Sequence, residues 1–326
     1  MKQIEFATAG KPEHAVRYAD AQAPSATASD DVLVKVLAFP INPADLLTMQ
    51  GIYPRLGTAT RAIGNEAVGE IAAVGADVRD FVPGDRVIML SLDNWREYRL
   101  VKASEVVKVS PHGDILQQSG LKVNPATASL LLRQFVELRA GHWIIQNAAN
   151  SAVGRAAIQL AHISGVRTVN LVRRSNVMDE LKALGADVVL LDGDDLAGRV
   201  RATTGNAPIL LGIDSIGGAA TDRIASCLGP GATLVIYGAM SGEPATVAPG
   251  AVVFNDLRIR GLWLSKYLMS APRDAIDVLY RRLDELSVSG RLATKIDSVF
   301  GADDIKGAVH RASEAGINGK VVVRFN

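Results

Sequence analysis

The sequence has little cysteine and little histidine. Its 326 residues include one cysteine, Cys227, which excludes an intramolecular disulfide. The apolar stretch RIASCLG around it predicts a helical position and a buried, unreactive thiol. The five histidines are scattered along the chain, at His14, His112, His142, His162 and His310. Together with one cysteine they do not provide the tetrahedral nitrogen and sulfur donors that zinc prefers, so we expect no metal site.

The sequence also lacks an excess of either charge. Lys and Arg number 35 against 34 for Asp and Glu, which gives a formal net charge of +1. No block of like charge stands out. We therefore expect no nucleic-acid partner and no attraction to an acidic membrane surface.

Long apolar runs are missing as well. No segment approaches the roughly 20 apolar residues that a membrane span needs. The N-terminal stretch MKQIEFATAG has neither the apolar core of a signal peptide nor the arginine-rich composition of a transit peptide. We therefore expect no membrane association and a cytoplasmic location.

The length predicts two domains, because 326 residues exceed a comfortable single core. Residues 1–120 show short strands separated by Gly, Pro and Asp turns, which predicts a small, mostly antiparallel barrel. Residues 121–265 alternate helical and strand periods, which predicts a parallel sheet covered on both faces. The tail, 266–326, is expected to pack back on the first domain. Residues 257–263 (LRIRGLW) alternate apolar and basic side chains, as an edge strand that can pair with a second subunit would.

The most informative stretch runs from residue 142 to residue 174. It predicts a strand at 143–146, a small-residue turn at 147–154, a helix at 153–164 and a strand at 166–172, which is the mononucleotide-binding half of a doubly wound fold. The first N–H groups and positive end of such a helix favour a phosphate over the turn. Ala149, Ser151 and Gly154 occupy the three positions of the G-x-G-x-x-G fingerprint, so the pattern alone is a weak signal.

The end of the second strand carries Arg173 and Arg174 and no acidic residue. An acid there would bind the ribose 2′-hydroxyl of NAD, whereas arginine suits the 2′-phosphate of NADP. The pair therefore predicts NADP(H) as the coenzyme. The alternative is that the two arginines only solvate the end of a strand.

Residues 64–87 carry a family signature. GNEAVGEIAAVGADVRDFVPGDRV resembles the GHE-x-x-G…VG…GD-x-V signature of the medium-chain dehydrogenase/reductase superfamily, and the order of elements fits the whole chain. The resemblance implies an α/β fold, with a doubly wound Rossmann domain and a GroES-like, mostly antiparallel catalytic domain, and it suggests a homodimer. Asn65 replaces the zinc-ligating histidine of metal-dependent members, and Glu66 is expected to serve the structure. The chain therefore resembles the zinc-free members.

Within that group the chain most resembles the NADPH-dependent trans-2-enoyl thioester reductases of the mitochondrial fatty-acid synthesis type. The resemblance rests on INPADLLTMQGIYP, GNEAVGE, VNPATA, WIIQNAANSAVG, VRR, YGAM and RGLWLS. Quinone or other enone reductases are the second choice, although they typically have Gly-Gly where this chain has Asn150 and Ser151. They share the Gly-x-Tyr-Pro loop, so Tyr53 does not separate the two groups. A non-catalytic NADPH-binding protein is a third hypothesis, since a fold does not guarantee activity.

The resemblance also implies roles for particular residues. Tyr53 is expected to act as acid or oxyanion stabiliser, and Trp263 to line the acyl pocket. Asn124 is expected to lie near the nicotinamide, and the pyrophosphate is expected to contact Asn150, Ser151, Ala152, Val153 and Gly154. The 2′-phosphate is expected to contact Arg173, Arg174 and Ser175. Further coenzyme contacts are expected from Tyr237, Gly238, Ala239, Met240, Leu262, Trp263, Leu264, Ser265 and Lys320. The alternatives are a loop aromatic packed on Pro54 for Tyr53, and a domain-interface residue for Trp263.

Several positions depart from the family pattern. Ala152 and Arg155 stand where glycine and glutamine are usual, and Arg155 is a candidate for an added pyrophosphate contact. Asp93 and Asn94 replace a Gly-Thr pair, and residues 58–61 replace an apolar loop. We expect these last two segments to flank the mouth of the substrate site, so the acyl preference does not follow from the resemblance.

Overall fold

The computed structural model describes residues 1–6, 8–24, 28–53 and 62–325. The chain forms two compact units, one of Met1–Ala126 with Ser270–Asn326 and one of Thr127–Met269. The chain enters the second unit within a helix at Asn124–Arg133 and leaves it within a helix at Leu264–Ser270. The sequence predicted these crossings at 120 and 265.

The first segment of unit 1 is built mainly from strands. Its elements are β1 (Lys2–Phe6), α1 (Pro12–Ala15), β2 (Val16–Asp20), β3 (Asp31–Pro40), α2 (Pro43–Met49), β4 (Val68–Val74), β5 (Arg86–Met89), β6 (Tyr98–Lys102), a 3₁₀ turn (Ala103–Glu105), β7 (Val106–Lys108) and α3 (Ile115–Ser119). Strand β3 alternates as the sequence suggests: Val32, Val34 and Val36 are fully buried, while Lys35 between them is exposed. The sequence missed α1, β2 and α3, which are short.

Unit 2 contains a six-stranded parallel sheet flanked by helices. Its elements are α4 (Asn124–Arg133), β8 (Trp143–Gln146), α5 (Ala152–Ile163), β9 (Arg167–Val172), a 3₁₀ turn (Ser175–Val177), α6 (Met178–Ala183), β10 (Val188–Leu191), α7 (Leu196–Thr204), β11 (Ile209–Asp214), α8 (Ala219–Ala225), β12 (Thr233–Ile236), α9 (Pro249–Asn255), β13 (Arg258–Gly261) and α10 (Leu264–Ser270). The strand order is β10-β9-β8-β11-β12-β13. The predicted doubly wound sheet is therefore confirmed, and β13 lies at its edge.

The tail completes the sheet of unit 1. It contributes α11 (Arg273–Val288), β14 (Ile296–Gly301), a 3₁₀ turn (Ala302–Asp304), α12 (Ile305–Ser313) and β15 (Lys320–Arg324). Strand β15 pairs antiparallel with β3, which also pairs with β4 and β6. All pairings of this seven-stranded sheet are antiparallel except β14 with β15. In the structure, Ser270–Asn326 belong to the same compact unit as Met1–Ala126.

Helix α8 is shorter than predicted, and this changes the setting of Cys227. The helix ends at Ala225 rather than near residue 228, so the cysteine lies beyond its C-cap, Ser226. Its side chain is half-buried, and its Sγ donates to the Arg223 carbonyl oxygen at 3.2 Å. Burial raises the pKa of the thiol to about 11, which agrees with an unreactive side chain.

The described residues contain no helix that combines the length and the apolar character of a membrane span.

Candidate functional site

The turn after β8 is shaped by small residues and closed by a helix cap. Ser151 is the N-cap residue of α5, and its hydroxyl accepts a hydrogen bond from the Gly154 amide at 3.1 Å. A Cβ at Gly154 would lie 2.6 Å from the Ala149 carbonyl oxygen and 2.8 Å from that of Ala148, so only glycine lets the helix start this close to the turn. The first N–H groups of α5 and its positive end therefore meet the turn, as in phosphate sites at helix N-termini.

Behind this turn a buried asparagine and a buried aspartate tie β8 to β11. Asn147 Nδ2 donates to Asp214 Oδ1 at 2.5 Å, and Asn147 Oδ1 accepts from the Ser215 amide at 2.9 Å. The other carboxylate oxygen of Asp214 accepts from the Thr221 hydroxyl at 2.6 Å. The winding of the sheet reverses between β8 and β11, and ligands of such sheets bind in the crevice at this point.

Tyr237 follows β12 at the same edge of the sheet. Burial raises the pKa of its phenol, and the neighbouring side chains of Ser215 and Ser151 oppose that shift. Met240 Sδ lies 3.7 Å from Ser215 Oγ. The motifs around Ser151 and Tyr237, which are far apart in the sequence, thus meet at one edge.

Arg173 and Arg174 follow β9, the strand beside β8. Both residues are exposed, as is Ser175, which begins the next 3₁₀ turn. Within the described part of the chain neither guanidinium has an ion-pair or hydrogen-bond partner. Two solvated guanidinium groups with unused donors suit a phosphate dianion.

The segment 262–265 follows β13 and leads into α10. The Leu262 amide donates to the Ile236 carbonyl oxygen at 3.1 Å, which holds the segment beside the end of β12. Trp263 is 38% exposed. Except for Asn124, Lys320 and Tyr53, every predicted site residue therefore follows the carboxyl end of a strand in this one sheet.

Arg155 corrects a prediction. Its side chain is buried, its Nε donates to the Asn150 carbonyl oxygen at 3.0 Å and its Nη1 forms an ion pair with Glu180 at 2.8 Å. A guanidinium with these partners braces the turn from inside the unit. The added pyrophosphate contact expected of Arg155 is therefore wrong.

Unit 1 contains a buried polar cluster, which we define as Asn42, Asp45, Glu66, Lys122, Asn124 and Lys320. Its members come from four places: the start of α2, the turn before β4, the start of α4 and the first residue of β15. Burying two carboxylates and two ammonium groups is costly unless their hydrogen bonds are satisfied. The bonds of this cluster therefore determine which of its atoms can act on a ligand.

Glu66 is placed by a glycine that no other residue can replace. Gly64 has φ = +116°, and a Cβ there would lie 2.3 Å from Trp95, which is fully buried and stacks on Phe39 with ring centroids 4.9 Å apart. The turn therefore follows one path, and Glu66 enters the interior. Its Oε1 accepts from Asn42 Nδ2 at 2.7 Å and its Oε2 from the Val123 amide at 2.8 Å. Burial raises the pKa of this carboxyl.

Asp45 binds three N–H groups. Its carboxylate accepts from the Asn42 amide at 2.8 Å, from the Asn65 amide at 3.0 Å and from Asn65 Nδ2 at 2.7 Å. Burial raises the pKa of Asp45 to about 6, although the hydrogen bonds from these donors lower it. Asp45 therefore fixes both the cap of α2 and the turn at Asn65.

The two lysines of the cluster already have acceptors. Lys122 Nζ donates to the carbonyl oxygens of Asn65 at 2.5 Å and Ser91 at 2.9 Å. Lys320 Nζ donates to Asn42 Oδ1 at 2.5 Å and to the Ile41 carbonyl oxygen at 3.3 Å. Burial lowers the pKa of both ammonium groups, and the nearby carboxylates oppose that shift.

Tyr53 lies in the turn after α2. Its amide donates to the Leu47 carbonyl oxygen at 3.2 Å, two residues after Gly51, whose φ of +76° turns the chain. The side chain is half-buried. Pro54 and the segment 58–61, on which two expectations depended, lie outside the described residues.

Comparison with known proteins gives the family. Residues 28–111 match the alcohol dehydrogenase GroES-like domain, and residues 152–281 match the zinc-binding dehydrogenase domain. A mitochondrial enoyl-acyl-carrier-protein reductase from Arabidopsis thaliana is 37% identical over 289 residues, which is 85% of this chain and 77% of the relative. The human protein of the same name is 32% identical over 306 residues, 92% of this chain and 82% of the relative.

The chain belongs to the enoyl-acyl-carrier-protein reductase family. The predicted superfamily and the GroES-like domain are thereby confirmed. Among solved structures, a protein described as an NADPH:quinone reductase from Bacillus thuringiensis has a TM-score of 0.92 at 26% identity, covering 99% of this chain and 98% of that one. A mitochondrial 2-enoyl thioester reductase heterodimer from Candida tropicalis has a TM-score of 0.88 at 25% identity and covers 99% of both chains.

One of the matching domains is named for zinc binding, but the side chains at the corresponding position of this chain do not suit a zinc ion. Asn65 stands at the position of the zinc-ligating histidine, and its Nδ2 donates to Asp45. The ammonium groups of Lys122 and Lys320, in the adjoining cluster, would repel a cation. In the ranges that the structure describes, no three His, Cys, Asp or Glu side chains are grouped as metal ligands.

Proposed function

We propose that this protein reduces the carbon–carbon double bond of a 2-enoyl thioester, carried on CoA or on acyl carrier protein, with NADPH. The observation that carries the proposal is the relation to the enoyl-acyl-carrier-protein reductases, with 37% identity over 85% of the chain. Three features support a dinucleotide coenzyme: the small-residue turn, the capped helix α5, and the carboxyl ends of the parallel strands, where these elements lie.

The bound coenzyme supplies a hydride to the β-carbon of the enoyl group. The electron pair of the double bond then moves onto the thioester oxygen, and a proton is added at the α-carbon. The Tyr53 hydroxyl is the protein group proposed for this step, because a phenol can donate a hydrogen bond to the developing oxyanion or deliver the proton. Trp263, partly exposed after β13, is proposed to line the acyl pocket.

Coenzyme choice is proposed to depend on Arg173 and Arg174. Their guanidinium groups are solvated and have no partner among the described residues, so they can bind the 2′-phosphate without first breaking an ion pair. No acidic residue that would take a 2′-hydroxyl stands at this strand end. The remaining contacts are proposed from Asn124, Lys320, and residues 150–154, 175, 237–240 and 262–265.

A substrate panel tests the activity. Crotonyl-CoA, a longer enoyl-CoA and a small benzoquinone are each incubated with NADPH, and coenzyme oxidation is followed together with the mass of the product. We expect the enoyl-CoA substrates to gain two hydrogen atoms. Quinone reduction without enoyl reduction would favour the quinone reductase hypothesis, for which the Bacillus thuringiensis structure is the specific support. Coenzyme binding without oxidation by any substrate would favour a non-catalytic NADPH-binding protein.

Tyr53→Phe tests the proposed acid in the same assay. Loss of the hydroxyl should lower kcat by roughly 10²- to 10⁴-fold, the usual contribution of a general acid, and should leave NADPH affinity unchanged. Tyr18→Phe, at an exposed position of β2, serves as control and should keep the wild-type turnover. Wild-type turnover in the Tyr53 variant would remove this residue from the chemistry.

We also propose a homodimer formed through β13. Among the described strands of unit 2, β13 pairs only with β12, and all four of its residues are exposed. The preceding helix α9 exposes Val252, Val253 and Phe254. The related reductase from Candida tropicalis is a heterodimer. Light scattering should give twice the chain mass of 34.5 kDa.

We further propose that the protein resides in the cytoplasm. The related reductases are mitochondrial proteins in their own organisms. Fractionation of the native cells, with the protein followed by antibody, would decide between the two locations.

A further inference from the structure

The side-chain amide of Asn42 has a partner on every side. Its Oδ1 accepts from Lys320 Nζ at 2.5 Å and from Asn124 Nδ2 at 3.1 Å, and its Nδ2 donates to Glu66 Oε1 at 2.7 Å. All four residues are buried. The amide therefore lies between a donor-only ammonium group and a carboxylate acceptor.

These two neighbours leave the Asn42 amide one orientation. An ammonium group has no lone pair, so only the oxygen of Asn42 can face Lys320. A carboxylate accepts hydrogen bonds, so the nitrogen of Asn42 faces Glu66. A flipped amide would break both bonds inside the protein, where unmet polar groups are costly.

The orientation of Asn42 determines that of Asn124. Because Asn42 presents its oxygen, Asn124 must present its own nitrogen, which leaves Asn124 Oδ1 as the remaining polar atom of that side chain. Within the described part of the chain, this oxygen receives no hydrogen bond. Asn124 therefore offers a ligand its Oδ1 as a hydrogen-bond acceptor.

We propose that Lys320, Asn42 and Glu66 are positioning residues, which hold the Asn124 amide so that it accepts a hydrogen bond from the carboxamide N–H of the nicotinamide ring. The inference rests on the proposed coenzyme contact of Asn124. It gives Lys320 an indirect role, through Asn42, in recognising the coenzyme. A coenzyme whose ring carries no N–H donor is discriminated against.

Three ligands of wild-type protein test this recognition. The ligands are NADP⁺, its 3-acetylpyridine analogue and its nicotinic acid analogue, which differ only in the substituent on the ring. NADP⁺ carries an amide with N–H donors, the acetylpyridine analogue carries a methyl ketone, and the nicotinic acid analogue carries a carboxylate. We expect the acetylpyridine analogue to bind roughly three- to tenfold more weakly than NADP⁺, the range of one neutral hydrogen bond. The nicotinic acid analogue should bind weakest, because its carboxylate faces the Asn124 oxygen.

Variants then test the positioning. Asn124→Ala, Asn42→Ala and Lys320→Met should each reduce the preference for NADP⁺ over the acetylpyridine analogue to about one, whereas Lys320→Arg keeps a donor-only cation and should retain it. Asn65→Ala is the matched control, since Asn65 bonds to Asp45 and not to Asn42 or Asn124. Affinity for 2′-phospho-ADP-ribose, which has no nicotinamide ring, should be the same in every folded variant.

The outcomes separate this inference from the proposed function. Failure of wild-type protein to bind NADP⁺ or 2′-phospho-ADP-ribose would overturn the proposed function itself. Equal affinity of wild-type protein for NADP⁺ and the acetylpyridine analogue would overturn the positioning inference alone, even if no variant folds. An undiminished preference in folded Asn42→Ala or Lys320→Met would do the same.

Discussion

Two pairs of cationic side chains lie in opposite surroundings in this protein. Arg173 and Arg174 are exposed after β9 and have no partner within the described residues, whereas Lys122 and Lys320 are buried and each donates to two oxygens. The arginines keep unused hydrogen-bond capacity that a ligand can fill. Each lysine gives two of its three N–H donors to other protein groups, so Lys320 also affects a ligand through the groups that it holds.

The largest effect should follow from breaking the buried cluster. Glu66→Ala removes the acceptor of Asn42 Nδ2 and of the Val123 amide, and it takes one negative charge from the neighbourhood of two buried ammonium groups. We expect the free energy of unfolding to fall by about 3–5 kcal/mol, as for other buried charges that lose a partner. Urea unfolding measures this free energy.

The control is Glu70→Ala, at an exposed position of β4, which should change the free energy of unfolding by less than about 0.5 kcal/mol. A similar loss of stability in both variants would contradict the expected difference between a buried and an exposed carboxylate.

The exposed pair should behave in the opposite way. The double substitution Arg173→Ala with Arg174→Ala should leave the melting temperature unchanged, because neither residue has a partner to lose. The preference for NADPH over NADH should fall by roughly 100-fold, since each charge-assisted hydrogen bond contributes about 1.5–3 kcal/mol. Binding titrations with NADPH and NADH measure this preference.

Arg201→Ala, on the exposed face of α7, is the control and should keep the preference for NADPH. An unchanged preference in the double variant would leave the arginines as solvated residues at the end of a strand.

The same contrast explains what could be predicted from the sequence. Strand periods, the turn at 147–154 and the arginines after β9 are local patterns, so the parallel sheet and its carboxyl edge followed from the residues. The antiparallel sheet of unit 1 was recognised in outline, but α1, β2 and α3 are short and have no strong period of their own. Cys227 was placed inside α8, whereas the helix ends at Ala225.

The buried cluster was largely invisible in the sequence. Its members lie as far apart as Asn42 and Lys320, and only the fold brings them together. Glu66 was expected to serve the structure, but no local pattern pairs Asn42 with Lys320, nearly the whole chain away. Lys122 and Asp45 carried no signal at all. Residues that act through other residues are therefore the ones that sequence patterns miss.

The glycine at the dinucleotide turn gives a smaller, geometric test. Gly154→Ala places a methyl group 2.6 Å from the Ala149 carbonyl oxygen, so α5 must shift away from the turn. We expect a stability loss of about 1–3 kcal/mol from overpacking, with weaker coenzyme binding. Thermal unfolding and NADPH titration measure the two effects. Gly250→Ala is the matched control, since a Cβ there meets nothing closer than 3.6 Å and alanine is the better helix former. Equal stability of the two variants would contradict the close approach of α5.

The smallest effect concerns how the cluster responds to pH. Burial raises the pKa of Asp45 from 3.8 to about 6, so between about pH 4 and pH 6 the folded protein keeps a proton that the unfolded chain has released. The stability contributed by this group is therefore complete below pH 4 and is lost as the pH rises through 6. Asp45→Asn has no such proton, so the wild-type melting temperature minus that of the variant should fall by a few degrees between pH 4 and pH 7. Asp77→Asn, at an exposed loop position in the same unit, is the matched control and should give a flat difference. A flat difference for Asp45→Asn as well would mean that its three N–H donors outweigh burial, and that the carboxylate stays ionised in the folded protein throughout this range.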